Sequence, residues 1–145
     1  MAFSITDAAY ALREETAWQA TPEALSFDDY TNMVVYGLKR LMIDTGRALD
    51  FDPSMFYEQD SRLYYGTQLA IDEEEYVLLV AQIQFFKRVQ LDVNTIVSYT
   101  TNAMTVTQAN KPYEHLQDSI EKLEARRREL YYRMVRYALE YNITD

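Results

Sequence analysis

The 145-residue chain has no cysteine, one histidine, three glycines and three prolines. Without cysteine there is no disulfide, no thiol nucleophile and no Cys-ligated zinc. With so little glycine there is no phosphate-cradling loop, and neither nucleotide-binding fingerprint is present. His115 is the only histidine, which puts a catalytic triad or a His-based metal site out of reach. No run approaches the roughly 18–20 apolar residues that span a bilayer. The longest, YVLLVAQIQFFKRVQLDV, is interrupted by glutamines and two cations. The opening MAFSITDAAYALREET lacks a basic n-region and is not read as a signal peptide. A chain that stays in solution is expected, and the absence of cysteine suits a cytoplasmic setting.

What is present is an ordinary globular composition, 48% hydrophobic and 26% charged, long enough for one domain with a real core. The net charge is −9 and is unevenly spread. Residues 1–110 carry 7 basic and 16 acidic side chains, while residues 111–145 carry 7 of each and are neutral. So acidic a body repels phosphate backbones, and gripping DNA or RNA is not expected as its main task.

Ser4, with Asp7 three residues on, reads as the start of a helix running to about Trp18, and Thr21-Pro22 breaks it. Ser26 is placed to cap a stronger helix with Asp28 and Asp29 in its first turn. Tyr30, Met33, Val34, Leu38, Leu41 and Met42 recur at helical spacing, and Gly46 is placed to end it. Residues 47–71 are mixed. Asp52-Pro53 signals a turn, and SRLYYGTQLAI could be extended or a short helix. Asp72 then starts a third helix, with Glu75 in the capping-box position. From Tyr76 to about Val93 apolar residues nearly surround the axis, as in a central, buried helix.

VSYTTNAMTVTQ (97–108) alternates, turns at Asn102-Ala103 and alternates again, which predicts a β-hairpin. Two strands alone are marginal in water, so the segment reads as an element that meets another subunit, through Tyr99, Met104 and Val106. Pro112 suits a first helical turn. From Tyr113, the positions 113, 116, 120, 123, 127, 130, 134, 137 and 141 follow a heptad seam in which only Arg127 is polar. A helix of about thirty residues is roughly 45 Å long, more than a domain with a radius of gyration near 15 Å needs. The expected fold is therefore mainly α, with about four helices and a small β-hairpin before a long C-terminal helix. Its parts are an N-terminal helical segment (1–22), a helical core (25–94), the hairpin (95–110) and the long helix (111–142).

DEEEY (72–76) reads as an acid-rich helix start rather than a metal or acid–base site, because adjacent helical positions splay apart. Asp44, Asp50, Asp52, Glu58 and Asp60 lack the pattern of a calcium loop and read as solvated surface. No catalytic residue, cofactor site or metal site is expected. The partner-like run is EKLEARRRELYYRMVRY, in which Arg126, Arg127, Arg128, Arg133 and Arg136 interleave with Tyr131, Tyr132 and Tyr137. Arginine with aromatics is the composition of protein interfaces and of single-strand nucleic-acid grooves. The competing reading is a solvated helix laced by Glu124–Arg128 and Glu129–Arg133 pairs. Arg127 on the apolar seam needs a carboxylate, from the acidic body of its own or a neighbouring subunit.

The order of FDDYTNMVVYGLKRLMID, an aromatic connector, EEEYVLLVAQIQFFKRV, SYTTNAMTVTQANKPYEHLQ and IEKLEARRRELYYRM resembles small virion proteins of tailed bacteriophages. It is most similar, over roughly residues 25–140, to the helical head–tail connector (adaptor, or head-completion) family. The resemblance implies a non-enzymatic virion protein of the neck, assembled in the host cytoplasm, in a ring of about a dozen subunits under the portal. Its partners would be the portal, further copies and neck or tail proteins, with DNA passing through the bore unread. It also implies an Arg-rich helix of one subunit against the acidic face of the next. The alternative is a scaffold or regulator that oligomerises through the 113–141 seam. A single-strand nucleic-acid binder, using the arginine–tyrosine run, is a third reading that the acidic charge disfavours.

Overall fold

Ser4 opens the first helix, α1 (Ile5–Glu15), by accepting a hydrogen bond from the Asp7 N–H at 3.2 Å, which satisfies a donor that a helix start leaves without a partner. The structure, a computed structural model, describes residues 2–19, 21, 24–46, 52–100 and 106–143, with backbone only at 93–100, 106–113 and 137–143. The first helix stops at Glu15, short of Trp18, where the buried Thr16 turns its hydroxyl back to the Leu12 carbonyl at 2.7 Å. The second, α2 (Phe27–Asp44), has a reciprocal capping box. Asp29 N–H donates to Ser26 Oγ at 3.3 Å, and Ser26 N–H donates to Asp29 Oδ2 at 2.8 Å. It ends at Thr45, and Gly46 follows with a φ of +75°, the left-handed turn that glycine takes without penalty.

The connector left open by periodicity folds as extended chain. Asp52 caps a 3₁₀ turn (Pro53–Met55) by accepting from the Ser54 N–H at 2.9 Å, and that hydrogen bond holds its carboxyl below the usual range. Strands β2 (Phe56–Gln59) and β3 (Arg62–Tyr65) follow, joined by Asp60 and Ser61 at φ 53° and 64°, as a two-residue hairpin with the strands' own twist requires. A short N-terminal strand, β1 (Phe3–Ser4), adds to the free side of β3, giving an antiparallel sheet of order β1-β3-β2. Phe3 and Phe56 both oppose Tyr65 on the inward face, whereas Tyr57 stacks on Tyr64 at 5.4 Å on the outward one. Leu63 N–H donates to Thr6 Oγ1 at 2.8 Å, so the sheet is tied to α1. Ile5, Ala9 and Leu12 of α1 are fully buried in the common core.

Helix α3 (Ile71–Thr100) begins one residue earlier than expected. Ala70 N–H donates to Glu73 Oε1 at 3.1 Å, so Glu73, not Glu75, occupies the capping position. Helix α4 is Val106–Ile143. The fold is mainly helical with four α-helices among the described residues, and α2 and α4 each pack along α3.

The small hairpin exists, but it lies at 56–65 rather than 95–110. Residues 95–100 complete α3 and residues 106–110 open α4, so Tyr99 and Val106 sit on helices, and Pro112 lies past the first turn. Alternation of Thr and Val is worth only tenths of a kcal/mol per residue. Extending an established helix adds a hydrogen bond for every residue ordered. At 56–65 the hairpin has β1 and α1 to lean on. Met104, with residues 101–105, lies outside the described residues.

The heptad seam faces α3 of the same chain. Leu116, Ile120 and Leu130 are buried, and Leu123 and Met134 pack on the same core. Opposite, α2 crosses α3 at Gly37, where a Cβ would stand 2.5 Å from the Val77 carbonyl oxygen. Only glycine permits this approach. Gly37→Ala is expected to cost about 1–3 kcal/mol in denaturant unfolding, as overpacking does. Ser61→Gly, relieving a left-handed φ, should stabilise by about 1 kcal/mol in the same assay.

Candidate functional site

The acid-rich start of α3 and the arginine-rich stretch of α4, far apart in sequence, lie against each other. Arg133 Nη2 is 3.1 Å from Asp72 Oδ1 and 3.8 Å from Glu75 Oε2, and Arg126 Nη2 is 3.6 Å from Glu75 Oε1. With Glu73 occupied at the cap, Asp72 and Glu75 are left to face α4. Neither predicted i,i+4 pair is seen among the described residues. These contacts are exposed, and each is worth between nothing and about 1 kcal/mol.

Arg127 points inward instead. Its Nε lies 2.9 Å from Glu124 Oε2, and its Nη1 donates to the Tyr76 hydroxyl at 3.0 Å and lies 3.8 Å from Asp44 Oδ2. The Tyr76 hydroxyl donates in turn to Asp44 Oδ2. Arg40 holds the other Asp44 oxygen at 3.1 Å. One chain of polar contacts therefore joins the C-terminal end of α2, the first turns of α3 and the middle of α4. The carboxylate that Arg127 needs comes from its own subunit.

Burial, followed by the bond to Asp44, pushes the Tyr76 phenol up to about 12, against the opposing pull of Arg127. Burial lowers the Arg127 guanidinium, but its hydrogen bonds to Tyr76 and Glu124 outweigh that, and its pKa is raised. Both groups keep their protons at neutral pH. The phenol is a donor and the guanidinium a permanent cation, so the arrangement fastens helices rather than moving protons.

Of the other predicted residues, Tyr131 packs on the core and meets Tyr132 edge-on at 5.7 Å, while Tyr132 is 67% exposed. Arg128 is exposed and forms no ion pair among the described residues. Arg127, Arg128, Tyr131, Tyr132 and Asp44 line a shallow hollow of about 240 Å³. Arg136 lies on the exposed side of α4. Tyr99, Val106 and Tyr137 lie on described backbone, but their side chains are outside the described residues. The run thus splits into an inward arginine, two clamping arginines and an outward Arg128–Tyr132 pair.

Sequence reasoning missed Trp18, which stands beyond α1 at 5.7 Å from Phe86 and 6.5 Å from His115. It also missed Tyr36, exposed on α2 above α3. Tyr36 and Ile43 stand seven residues apart, both exposed, an apolar spacing opposite the core stripe that was the available signal. No protein-family model, curated protein or solved structure matches the chain.

Arg127→Ala removes one partner each from Asp44, Glu124 and Tyr76, which keep Arg40, Lys87 and Asp44 as others, and should cost about 1–3 kcal/mol, whereas Arg126→Ala and Arg133→Ala should each cost under about 1 kcal/mol. Urea melts of the three variants check the order. The raised phenol contributes stability that is present below pH 10 and lost as pH rises towards 12. The stability gap between wild type and Tyr76→Phe should accordingly be constant below pH 10 and close above it in urea melts run across that range.

Proposed function

We propose that the chain is a non-enzymatic structural subunit of a virus particle. Specifically, it is a head–tail connector of tailed bacteriophages that docks as a ring beneath the portal and links the DNA-filled head to the neck or tail. The observation that carries this reading is the long antiparallel pair α3 and α4. At 1.5 Å per residue, 30 and 38 residues make rods of about 45 and 57 Å. Both continue as helix past Val89 and Leu116, the outermost described buried positions towards their junction. Beyond these positions the described Leu91, 62% exposed, and the exposed Glu114 and His115 turn to solvent, so this end of the pair offers surface to neighbours, as a ring subunit between two larger assemblies would. The acidic surface supports the same reading, since a bore of like charge lets DNA pass without sticking. The sheet and α1 are folded into the same core.

The alternative scaffold, dimerising through the 113–141 seam, has less behind it. Leu116, Ile120 and Leu130 are buried in their own chain, and a seam closed on α3 is not offered to a partner.

Deleting the encoding gene from the phage should leave filled heads and finished tails that do not join, visible by electron microscopy. Infectivity should return when the chain is supplied in trans. Joined, infectious particles that contain no copy of the chain by mass spectrometry would overturn the reading.

A further inference from the structure

A surface groove of about 420 Å³ runs between α2 and α3, with Asp29, Met33 and Tyr36 on one wall and Gln84, Lys87 and Arg88 on the other. It continues past Tyr36 and Lys87 into a hollow of about 260 Å³ that reaches Glu124 and Arg127. Tyr36, common to both, is 44% exposed, a ring of the kind that anchors protein interfaces.

The charges here are layered. Arg40 pairs with Asp44, Lys87 with Glu124 and Arg88 with Asp92. In every pair the cation is 43–51% exposed and the carboxylate only 14–30%. In these pairs the anions lie beneath and the cations face out, so on the α3 wall an approaching group meets Lys87 and Arg88 ahead of Glu124 and Asp92. On a chain of net charge −9 this is a place where cations, though each is paired, stand outermost.

The complement lies on the same molecule, on the side of α4 turned away from α3. Glu114, Asp118 and Glu121 occupy i, i+4 and i+7 and are all exposed. Glu114 and Asp118 form no ion pair among the described residues. Such a stripe is one face of a helix, the shape that a two-helix groove accepts. We infer that the α2–α3 groove of one copy receives the acidic outer face of α4 from a second copy. The two surfaces differ, so the contact is head to tail and generates a ring or filament rather than a closed pair. The inference rests on reading the chain as an assembling subunit, and it names the faces that meet.

Sedimentation velocity on the purified full chain at low ionic strength, up to millimolar concentration, tests it. Wild type should associate with rising concentration and dissociate near 1 M salt, where the Debye length is about 3 Å. Lys87→Glu with Arg88→Glu should weaken association about tenfold or more, and so should Glu114→Lys with Asp118→Lys. All four changes in one chain should restore it. Tyr36→Ser, which leaves every charge in place, should weaken it as well, and circular dichroism melts establish that each variant is folded. Unchanged association in folded groove variants would overturn the inference while leaving assembly by another face intact. A wild type that is monomeric throughout would overturn it too, and the connector reading would still be decided by the gene deletion. Binding of a single-stranded oligonucleotide that is lost on Lys87→Glu with Arg88→Glu would make the groove a nucleic-acid seat and overturn it as well.

Discussion

The contact on which the rest depends is the one between Arg127, Tyr76 and Asp44. Tyr76 is fully buried, and a buried phenol without a partner costs about as much as a lost hydrogen bond. Here the hydroxyl both donates and accepts, to Asp44 from α2 and from Arg127 on α4. One side chain of the central helix thereby sets the position of both flanking helices at one level. Apolar packing alone would let α4 slide or rotate against α3 at modest cost. A satisfied polar network in a poorly hydrated site does not permit that, because any other register strands a charge.

Fixing Arg127 fixes the face that every neighbouring residue presents. Arg126 and Arg133 fall over Glu75 and Asp72, and Leu116, Ile120 and Leu130 fall onto the core. Arg128, Tyr132 and the acidic stripe at Glu114 and Asp118 turn to solvent. The electrostatic division of the chain, an acidic first part and a neutral last part, is consumed in this arrangement. Arg126 and Arg133 of α4 pair with Glu75 and Asp72 at the start of α3, while Glu114, Asp118 and Glu121 remain on the far side of α4. The helix thus becomes a two-sided element, with Arg126, Arg127 and Arg133 directed to the rest of the fold and Glu114, Asp118 and Glu121 on the far side.

The groove on the opposite flank follows a similar logic with the signs layered in depth. Asp44, Asp92 and Glu124 lie deeper than Arg40, Arg88 and Lys87, because a carboxylate on a short stem sits close to the backbone. The longer lysine and arginine side chains reach past it to water. Formal charge counts along the sequence cannot register this, since each pair sums to zero.

The local signals were legible. Ser4, Ser26 and Gly46 sit where capping chemistry places them, and the apolar spacing of α2 and the seam of α4 identified buried faces correctly. These features depend on neighbours within about four residues, which is the range over which a sequence can be read directly. The aromatic stretch at 62–65 and the threonine-rich stretch at 97–108 were not legible in that way. Both favour extended backbone by propensity. The first is a strand because β1 and β2 flank it and α1 supports it, and the described parts of the second, 97–100 and 106–108, are helical because they continue into α3 and α4.

The same boundary separates the two halves of the candidate site. By itself the sequence determined that Arg127 lies on an apolar face and must find a carboxylate, since a guanidinium cannot shed its proton. It determined equally that α3 opens on acids and that α4 carries a core stripe. Only the tertiary structure decided that the carboxylate is Asp44 on α2, reached through a phenol on α3, and that the acids of residues 72–75 face the arginines of residues 126–133. The reason is separation. These partners stand about 30 to 80 residues apart, and contacts across such loops are set by how whole helices pack, for which no local period carries a record.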